Sequence, residues 1–307
     1  MNSWSDLKLS CELGTGTWAW GDKRVWGYGK GYSDNDLRQA FTASISSGIN
    51  FLDTAEVYGF GKSERLIGQF MHEQSSAVFL ATKFMPVPWR LRRHDLIVAL
   101  ENSLKRLDVH EVGLYQIHQP IHLRSLNTWM DALVEAVEMG LTRFVGVSNY
   151  NADQMKRAHD RLAGLGVTLL SNQVEYSLLH RNPEANGVMK ACHELGVKLI
   201  AYSPLAMGIL AGKYSSHHTL KGYRGIRFNR YLSQIEMLTG LLKEIGQGHG
   251  GKSASQVVLN WCITKDTFPI PGAKNAAQAA ENAGAQGWRL TEEEVKRIEG
   301  AAEAMRP

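Results

Sequence analysis

Cysteine is scarce. Cys11, Cys192 and Cys262 are the only three in 307 residues. They lie far apart and form no CxxC pair, which excludes a disulfide framework, a thioredoxin-type motif and a cysteine-based zinc site. An odd count without a framework fits a reducing compartment. Long apolar runs are missing too. Nothing approaches the ~20 residues that cross a bilayer, and the opening MNSWSDLKLS lacks the apolar core of a secretory signal, so a cytoplasmic, membrane-free protein is expected. Excess charge of one sign is also absent. Lys and Arg number 34 against 30 Asp and Glu, a net +4. That spread-out charge permits small anionic ligands but falls short of a nucleic-acid footprint. There is no Pro/Ser-rich linker and no low-complexity tract, so residues 1–307 are expected to form a single domain.

What is present is alternation. Short apolar runs fall at Cys11–Leu13, Ile49–Leu52, Val78–Thr82, Val112–Ile117, Phe144–Val147, Leu169–Val174, Lys198–Tyr202 and Phe268–Ile270. They read as strands buried on both faces. Between them lie helical patterns: Leu37–Ser47 behind the caps Ser33 and Asp34, Glu64–Met71 behind Ser63, Leu96–Leu107, Thr128–Glu138, Ala152–Leu162 and Glu184–Leu195, with Pro183 at a natural first helical position. A Thr291–Glu294 capping box opens a C-terminal helix. Eight strands, each followed by helix, predict an α/β fold with a parallel sheet closed into a (β/α)8 TIM barrel, a doubly wound open sheet being the alternative. The connection after the seventh strand, Ser203 to Tyr231, is unusually long. It carries Lys213, Lys221, Arg224, Arg227 and Arg230, and it is expected to close over a bound ligand.

Polar residues cluster at the carboxyl ends of these strands: Asp53, Lys83, His118, Ser148, Asn149, Gln173, Tyr202, Ser203 and Lys274. In a barrel those ends share the face on which active sites lie. Strand ends are polar wherever loops begin, which explains any one of these residues alone. It explains less well a series in which Asp, Lys, His and Gln each close an apolar run. Tyr58 follows Asp53 in the next loop. A tyrosine has an ordinary pKa near ~10 and is a weak acid at neutral pH; a neighbouring ammonium would lower that value, and a carboxylate would keep the ammonium charged and aimed. With a histidine to orient the substrate oxygen or share the proton, such a set could protonate a carbonyl while a hydride reaches its carbon.

The strings LGTGTWAWG, GINFLDTAEVYG with KSERLIG, ATKF, QIHQP, GVSNY, NQVEYSLL, AYSPLAMGILAGKY and IPGAK…AAEN occur in one order along almost the whole chain. In that order the sequence resembles the aldo-keto reductases. The resemblance implies a metal-free reduction of an aldehyde or ketone by 4-pro-R hydride transfer from NADPH. It makes Tyr58 the general acid, Lys83 its pKa-lowering partner, Asp53 the carboxylate that orients Lys83, and His118 the group that positions the carbonyl. It places Ser148, Asn149 and Gln173 on the nicotinamide carboxamide and stacks Tyr202 on the nicotinamide ring. Ser203, Leu205 and Gly208 fall on the pyrophosphate, and Gly272, Lys274, Gln278, Glu281 and Asn282 at the adenosine end. Many members carry a basic residue at Gly272 and an arginine near Gln278, so Lys274 is left to meet the 2′-phosphate. Many carry a bulky aromatic at Gln119, so the substrate pocket should differ from theirs. WAWG, PWR and PIPGAK look most like a plant and cyanobacterial branch that includes pyridoxal reductases, which implies an aromatic aldehyde such as pyridoxal as substrate. Trp18, Trp20, Trp26 and Tyr28 crowd the first loop, and Trp18, Trp20 and Gln119 are expected to wall the pocket.

Other signals compete. Gly246–Ser253 reads GxxxxGKS, a complete P-loop pattern, and would make the protein an NTPase through Lys252 and Ser253. A P-loop follows a strand, however, whereas Ile235, Leu238, Leu241, Leu242 and Ile245 precede this one at helical spacing. A helix-to-helix turn with Ser253 as cap is expected instead. His118 and His122 stand four apart, but Pro120 interrupts any helix that would pair them on a metal, and His122, His217 and His218 are expected on the surface. The run from Arg90 to His94 reads as solvated, although it could attract an anionic substrate. A regulatory NADPH-binding subunit of the same fold is the alternative from another functional class. The sequence shows no added partner-binding N-terminal segment, which favours the enzyme.

Overall fold

The computed structural model describes residues 3–7, 9–75, 77–121, 125–214, 219–220 and 222–303. Eight strands form one parallel sheet in sequence order: β1 (Thr15–Gly16), β2 (Phe51–Asp53), β3 (Phe79–Phe84), β4 (Val112–Ile117), β5 (Thr142–Ser148), β6 (Leu169–Glu175), β7 (Lys198–Tyr202) and β8 (Phe268–Ile270). The sheet closes on itself. Gly16 bridges Gly272 in parallel, and the amides of Gly14 and Gly16 donate to the carbonyls of Pro269 (2.9 Å) and Pro271 (3.0 Å). This is the expected (β/α)8 barrel, not an open sheet.

The first strand lies beyond the expected Cys11–Leu13. Its chain runs through Gly14 and Gly16, where a β-carbon would sit 2.6 Å from the Phe51 ring and 2.7 Å from the Ile270 carbonyl oxygen. The seam of the barrel is therefore drawn from small residues and carries no apolar run. Cys11 packs instead in a cluster with Phe51, Phe79, Leu114, Ile200 and Phe268, with Trp4, Leu7 and Leu9 against it.

The helices α1 (Asp34–Ser46), α2 (Lys62–Gln74), α3 (Arg93–Leu107), α4 (Leu126–Glu138), α5 (Ala152–Ala163), α6 (Asn182–Ala185), α7 (Val188–Leu195), α8 (Gly222–Phe228), α9 (Leu232–Gly248), α10 (Ala254–Thr264), α11 (Ala276–Ala283) and α12 (Glu292–Glu303) complete the chain. Neighbours in the ring pack side by side from α1 to α5, and α1 also packs on α11. Their apolar faces and the outer face of the sheet share the largest buried cluster. Local chemistry sets several ends. Ser33 caps α1 and Ser253 caps α10 in reciprocal capping boxes, and the Thr291 hydroxyl exchanges hydrogen bonds with Glu294 at the start of α12. Ser63 does not cap α2, whose N-cap is Gly61. The Ser63 hydroxyl is buried and bonds Thr54 and Thr17. The expected helix Glu184–Leu195 breaks into α6 and α7 at Gly187, a left-handed residue. The segment after β7 is not a bare loop, for it holds 3-10 turns at Ala206–Ala211 and Asn229–Tyr231 as well as α8. Among the described residues no helix is long and apolar enough to cross a membrane.

Candidate active site

Side chains two apart on a strand face the same way. Phe51 in the barrel floor therefore aligns with Asp53 above it, Phe79 and Ala81 with Lys83, and Leu114 with Gln116 and His118. The polar ends meet a cleft of about 830 Å³ at the carboxyl end of the barrel, within the roughly 300–1,000 Å³ of small-molecule sites.

At the head of the cleft the four expected catalytic residues come together. Lys83, without exposure, donates from Nζ to Asp53 Oδ1 (2.5 Å), to the Thr54 carbonyl (2.8 Å) and to the Tyr58 hydroxyl (3.4 Å). The other carboxylate oxygen of Asp53 accepts from the side-chain amides of Gln173 (2.8 Å) and Gln116 (3.3 Å). A buried ion pair is tolerable when its remaining hydrogen-bonding capacity is used in this way. The His118 ring meets Tyr58 edge-on, with centroids 5.7 Å apart.

Burial sets the charges. It drives the His118 pKa down to about 3, assisted by Lys83, so the imidazole is neutral at pH 7. Burial also lowers the Lys83 pKa, with Asp53 opposing. Tyr58 departs from the expected direction: burial, and then the Asp53 carboxylate, push its pKa well above that of an ordinary phenol. Asp53 neutralises the ammonium that was expected to acidify Tyr58, and its own negative charge reaches the hydroxyl. Tyr58 therefore holds its proton firmly.

The middle of the cleft is a linked set of polar groups. The Ser148 hydroxyl donates to the Gln173 carbonyl (2.8 Å), and the Asn149 amide to Ser148 Oγ (3.0 Å) and the His118 carbonyl (3.1 Å). The Tyr202 hydroxyl donates to Asn149 Oδ1 (3.1 Å). Asn149 and Ser203 both adopt left-handed backbone, at φ 64° and 51°, a conformation that non-glycine residues keep only where the surroundings enforce it. Ser203, Leu205 and Gly208 line the next stretch.

At the far end Gly272, Lys274, Gln278, Glu281 and Asn282 all line the cleft. Asn275 caps α11, Gln278 accepts from the Lys274 amide (2.9 Å), Asn282 donates to the Gly272 carbonyl (3.3 Å), and Glu281 accepts from Ser253 Oγ (2.5 Å). The Lys274 ammonium stands 4.7 Å from the Trp26 ring centroid and 4.8 Å from that of Tyr32. Burial, and then the neighbouring Arg224, lower its pKa to about 8. Arg224, one of the charges of the segment expected to close over a ligand, lines the cleft. It lies over Trp26 (5.9 Å) and Tyr214 (5.2 Å), and its Nε and the Trp26 indole N–H are buried with no acceptor among the described residues. Trp26, in the first loop, and Arg224, in α8, are both remote in sequence from Lys274, so no local pattern links the three.

Trp18 and Gln119 line the mouth with Trp26 and Val57. Trp20 does not: it is wholly buried, packs on Phe70 and donates its indole N–H to the Ala273 carbonyl (2.9 Å). It belongs to the core because the turn that aims Trp18 at the cleft sends Trp20 behind the barrel wall. In the Arg90–His94 run, Arg92, Arg93 and His94 are exposed as expected, Arg93 pairing with Asp131, whereas Arg90 is only partly exposed and is paired with Glu56. The GxxxxGKS string begins in the last turn of α9 rather than after a strand, and Lys252 donates to the Gly284 carbonyl (3.1 Å). His122, His217 and His218 lie outside the described residues.

A profile of the Aldo/keto reductase family matches residues 12–303. Over 97% of its length the chain is 42% identical to a chloroplastic pyridoxal reductase of Arabidopsis thaliana, of which it covers 86%. A solved thermostable aldo-keto reductase bound to the inhibitor epalrestat superposes with a TM-score of 0.76 at 31% identity, covering 95% of each chain. An aldo/keto reductase from Klebsiella pneumoniae in complex with NADP and acetate does so with a TM-score of 0.75 at 26% identity, covering 94% of this chain and 90% of that one. A barrel closed at Gly16 and Gly272, with an Asp–Lys–Tyr–His cluster at its mouth, and likeness along nearly the whole sequence lead to one conclusion: the chain belongs to the aldo/keto reductase family.

Proposed function

We infer that the protein reduces an aldehyde or ketone to an alcohol with NADPH as reductant and Tyr58 as general acid. One observation carries the reading: the Tyr58 hydroxyl stands 3.4 Å from a buried lysine that Asp53 holds in place, at the head of a long cleft.

The residues along that cleft fit the cofactor. Buried N–H groups of Trp26 and Arg224 that find no acceptor among the described residues, beside Lys274, suit an anion at the far end. Ser148, Asn149 and Gln173 would hold the carboxamide, and Tyr202 would stack on the ring. Ser203, Leu205 and Gly208 would meet the pyrophosphate. Gly272, Lys274, Gln278, Glu281 and Asn282 would hold the adenosine end, with Lys274 and Arg224 on the 2′-phosphate. A related aldo/keto reductase from Klebsiella pneumoniae solved in complex with NADP supports the choice of cofactor. Bound there, the reduced nicotinamide supplies a hydride to the carbonyl carbon.

The chain's own groups manage the proton. Neutral His118 orients the carbonyl oxygen. Tyr58 keeps its proton until that oxygen becomes strongly basic, then releases it, while Lys83 stabilises the phenolate that remains. Trp18, Trp26 and Val57 offer an apolar wall and Gln119 an amide, which suits an aromatic aldehyde such as pyridoxal, the substrate named for the Arabidopsis relative.

NADPH oxidation against a carbonyl panel that includes pyridoxal tests the activity. Tyr58→Phe should lower turnover about 10²–10⁴-fold while NADPH binding, followed by fluorescence, stays as in the parent. Turnover close to the parent's would show that another group is the acid.

A further inference from the structure

Glu56 stands two residues before Tyr58, in the turn between β2 and α2. Its carboxylate is 9% exposed. It accepts from both arms of Arg90, Nη1 and Nη2 (3.0 Å to the second oxygen), and from the Met85 amide (2.8 Å). Arg90 also donates to the Met85 carbonyl (3.0 Å) and lies 5.0 Å over the Phe84 ring. The Glu56 amide reaches the Lys83 carbonyl at 3.5 Å. The peptide that carries Tyr58 is thus fastened to Lys83, Phe84 and Met85, the stretch of chain that supplies the buried ammonium.

The turn needs that fastening. Directly after Tyr58, Gly59, Phe60 and Gly61 all have positive φ, at 55°, 55° and 78°. Phe60 is 86% exposed, so its side chain adds little packing. A left-handed phenylalanine is a conformation that the surroundings must hold. A bidentate guanidinium–carboxylate pair fixes both distance and orientation in a way that a point charge does not.

We propose that Glu56 and Arg90 are positioning residues for the reduction: their ion pair ties the Tyr58 turn to the end of β3 and so sets the distance from the phenol to Lys83. The proposal rests on Tyr58 as the acid. Neither residue is among those that line the cleft, so the pair acts through Tyr58.

The test uses the whole enzyme and the variants Glu56→Gln, Arg90→Met, Arg90→Lys and the double Glu56→Gln/Arg90→Met. Each of the first two should lower kcat about 10- to 100-fold while the NADPH Kd stays within about twofold of the parent, because misplacing a reacting group by ~1 Å costs on that scale and the cofactor is held elsewhere. The double variant should cost no more than the worse single, since both remove one interaction. Arg90→Lys, which keeps the charge but loses the fork, should fall between parent and Arg90→Met, and it serves if the harsher variants do not fold. Parent-like kcat in the single variants overturns the proposal, as does a parallel loss of kcat and NADPH affinity, which is the mark of a general structural role. Fluorine NMR of fluorotyrosine-labelled protein, with the Tyr58 line assigned through Tyr58→Phe, adds a readout independent of turnover. The line should shift or broaden in Glu56→Gln, and an unchanged line refutes the clamp. If the parent reduces no carbonyl, the proposed function fails, and the NMR still decides the clamp.

Discussion

Lys274→Met probes how the cleft tells NADPH from NADH. Lys274 forms no ion pair with a carboxylate among the described residues; it stands between the Trp26 and Tyr32 rings with Arg224 nearby, and its pKa is lowered to about 8. A bound phosphate would reverse that pressure and raise the value, so binding and protonation favour each other. The sign follows. NADPH affinity is full below pH 8 and falls as pH rises through it, by roughly tenfold per unit until the higher pKa of the complex is passed. The 2′-phosphate, with a second pKa near ~6, is already dianionic and adds no slope there. NADH lacks that phosphate, so its affinity should stay flat. Methionine keeps an apolar stem against the two rings but removes the ammonium. One charge-assisted hydrogen bond is worth about 1.5–3 kcal/mol, so NADPH should bind about 10- to 150-fold more weakly, and the slope above pH 8 should vanish. Arg224 keeps a guanidinium at the same end of the cleft, so some NADPH preference should survive in Lys274→Met and disappear in Lys274→Met/Arg224→Met. Fluorescence titration of both cofactors at pH values on either side of 8 measures all of this. A parent with no NADPH preference, or a Lys274→Met variant with the parent's slope, refutes the reasoning.

Two further outcomes are expected. Asp53→Asn leaves the buried Lys83 ammonium without its counter-charge, so urea unfolding should show a loss of about 3–5 kcal/mol; an unchanged midpoint would mean that the pair does not hold the site. Lys252→Ala should leave carbonyl reduction untouched, because among the described residues the Lys252 ammonium meets the Gly284 carbonyl and the Trp288 ring, away from the cleft; ATP binding by the parent that is lost in this variant would revive the nucleotide-hydrolase reading of GxxxxGKS.

Much of the site is legible in the sequence because a closed barrel converts order along the chain into position around a ring. Once the strand ends are found, Asp53, Lys83 and His118 must face one another, and Tyr58 follows from a short turn. Three things were not legible, each for a physical reason. The first strand is built where backbones meet at Gly14 and Gly16, so the apolar run that signals a buried strand falls on the neighbouring Cys11 and Leu13, which are buried but lie outside the strand. Trp18 and Trp20 look alike in sequence, yet one faces the cleft and the other the core, because the side-chain direction in an irregular turn has no period to read. Arg90 and Arg224 stand among other charges, and what separates them from solvated neighbours is a partner remote in the chain: Glu56 for one, Trp26 and Tyr214 for the other. Charge runs reveal composition, whereas burial reveals which member is used.

The seam at Gly16 and Gly272 joins the beginning of the chain to its end. Until the last strand has been made and docked, the ring is open and Lys274 has no Trp26 or Tyr32 to stand between. Contacts of such sequence separation form late and slowly. During synthesis the early strands must therefore wait with their apolar faces uncovered, which is the stage at which aggregation competes with folding. The cleft's far end can take shape only at the final step of assembly, so ligand affinity there reports on completed molecules alone. A cofactor that binds it would favour closure of the ring over its opening by mass action.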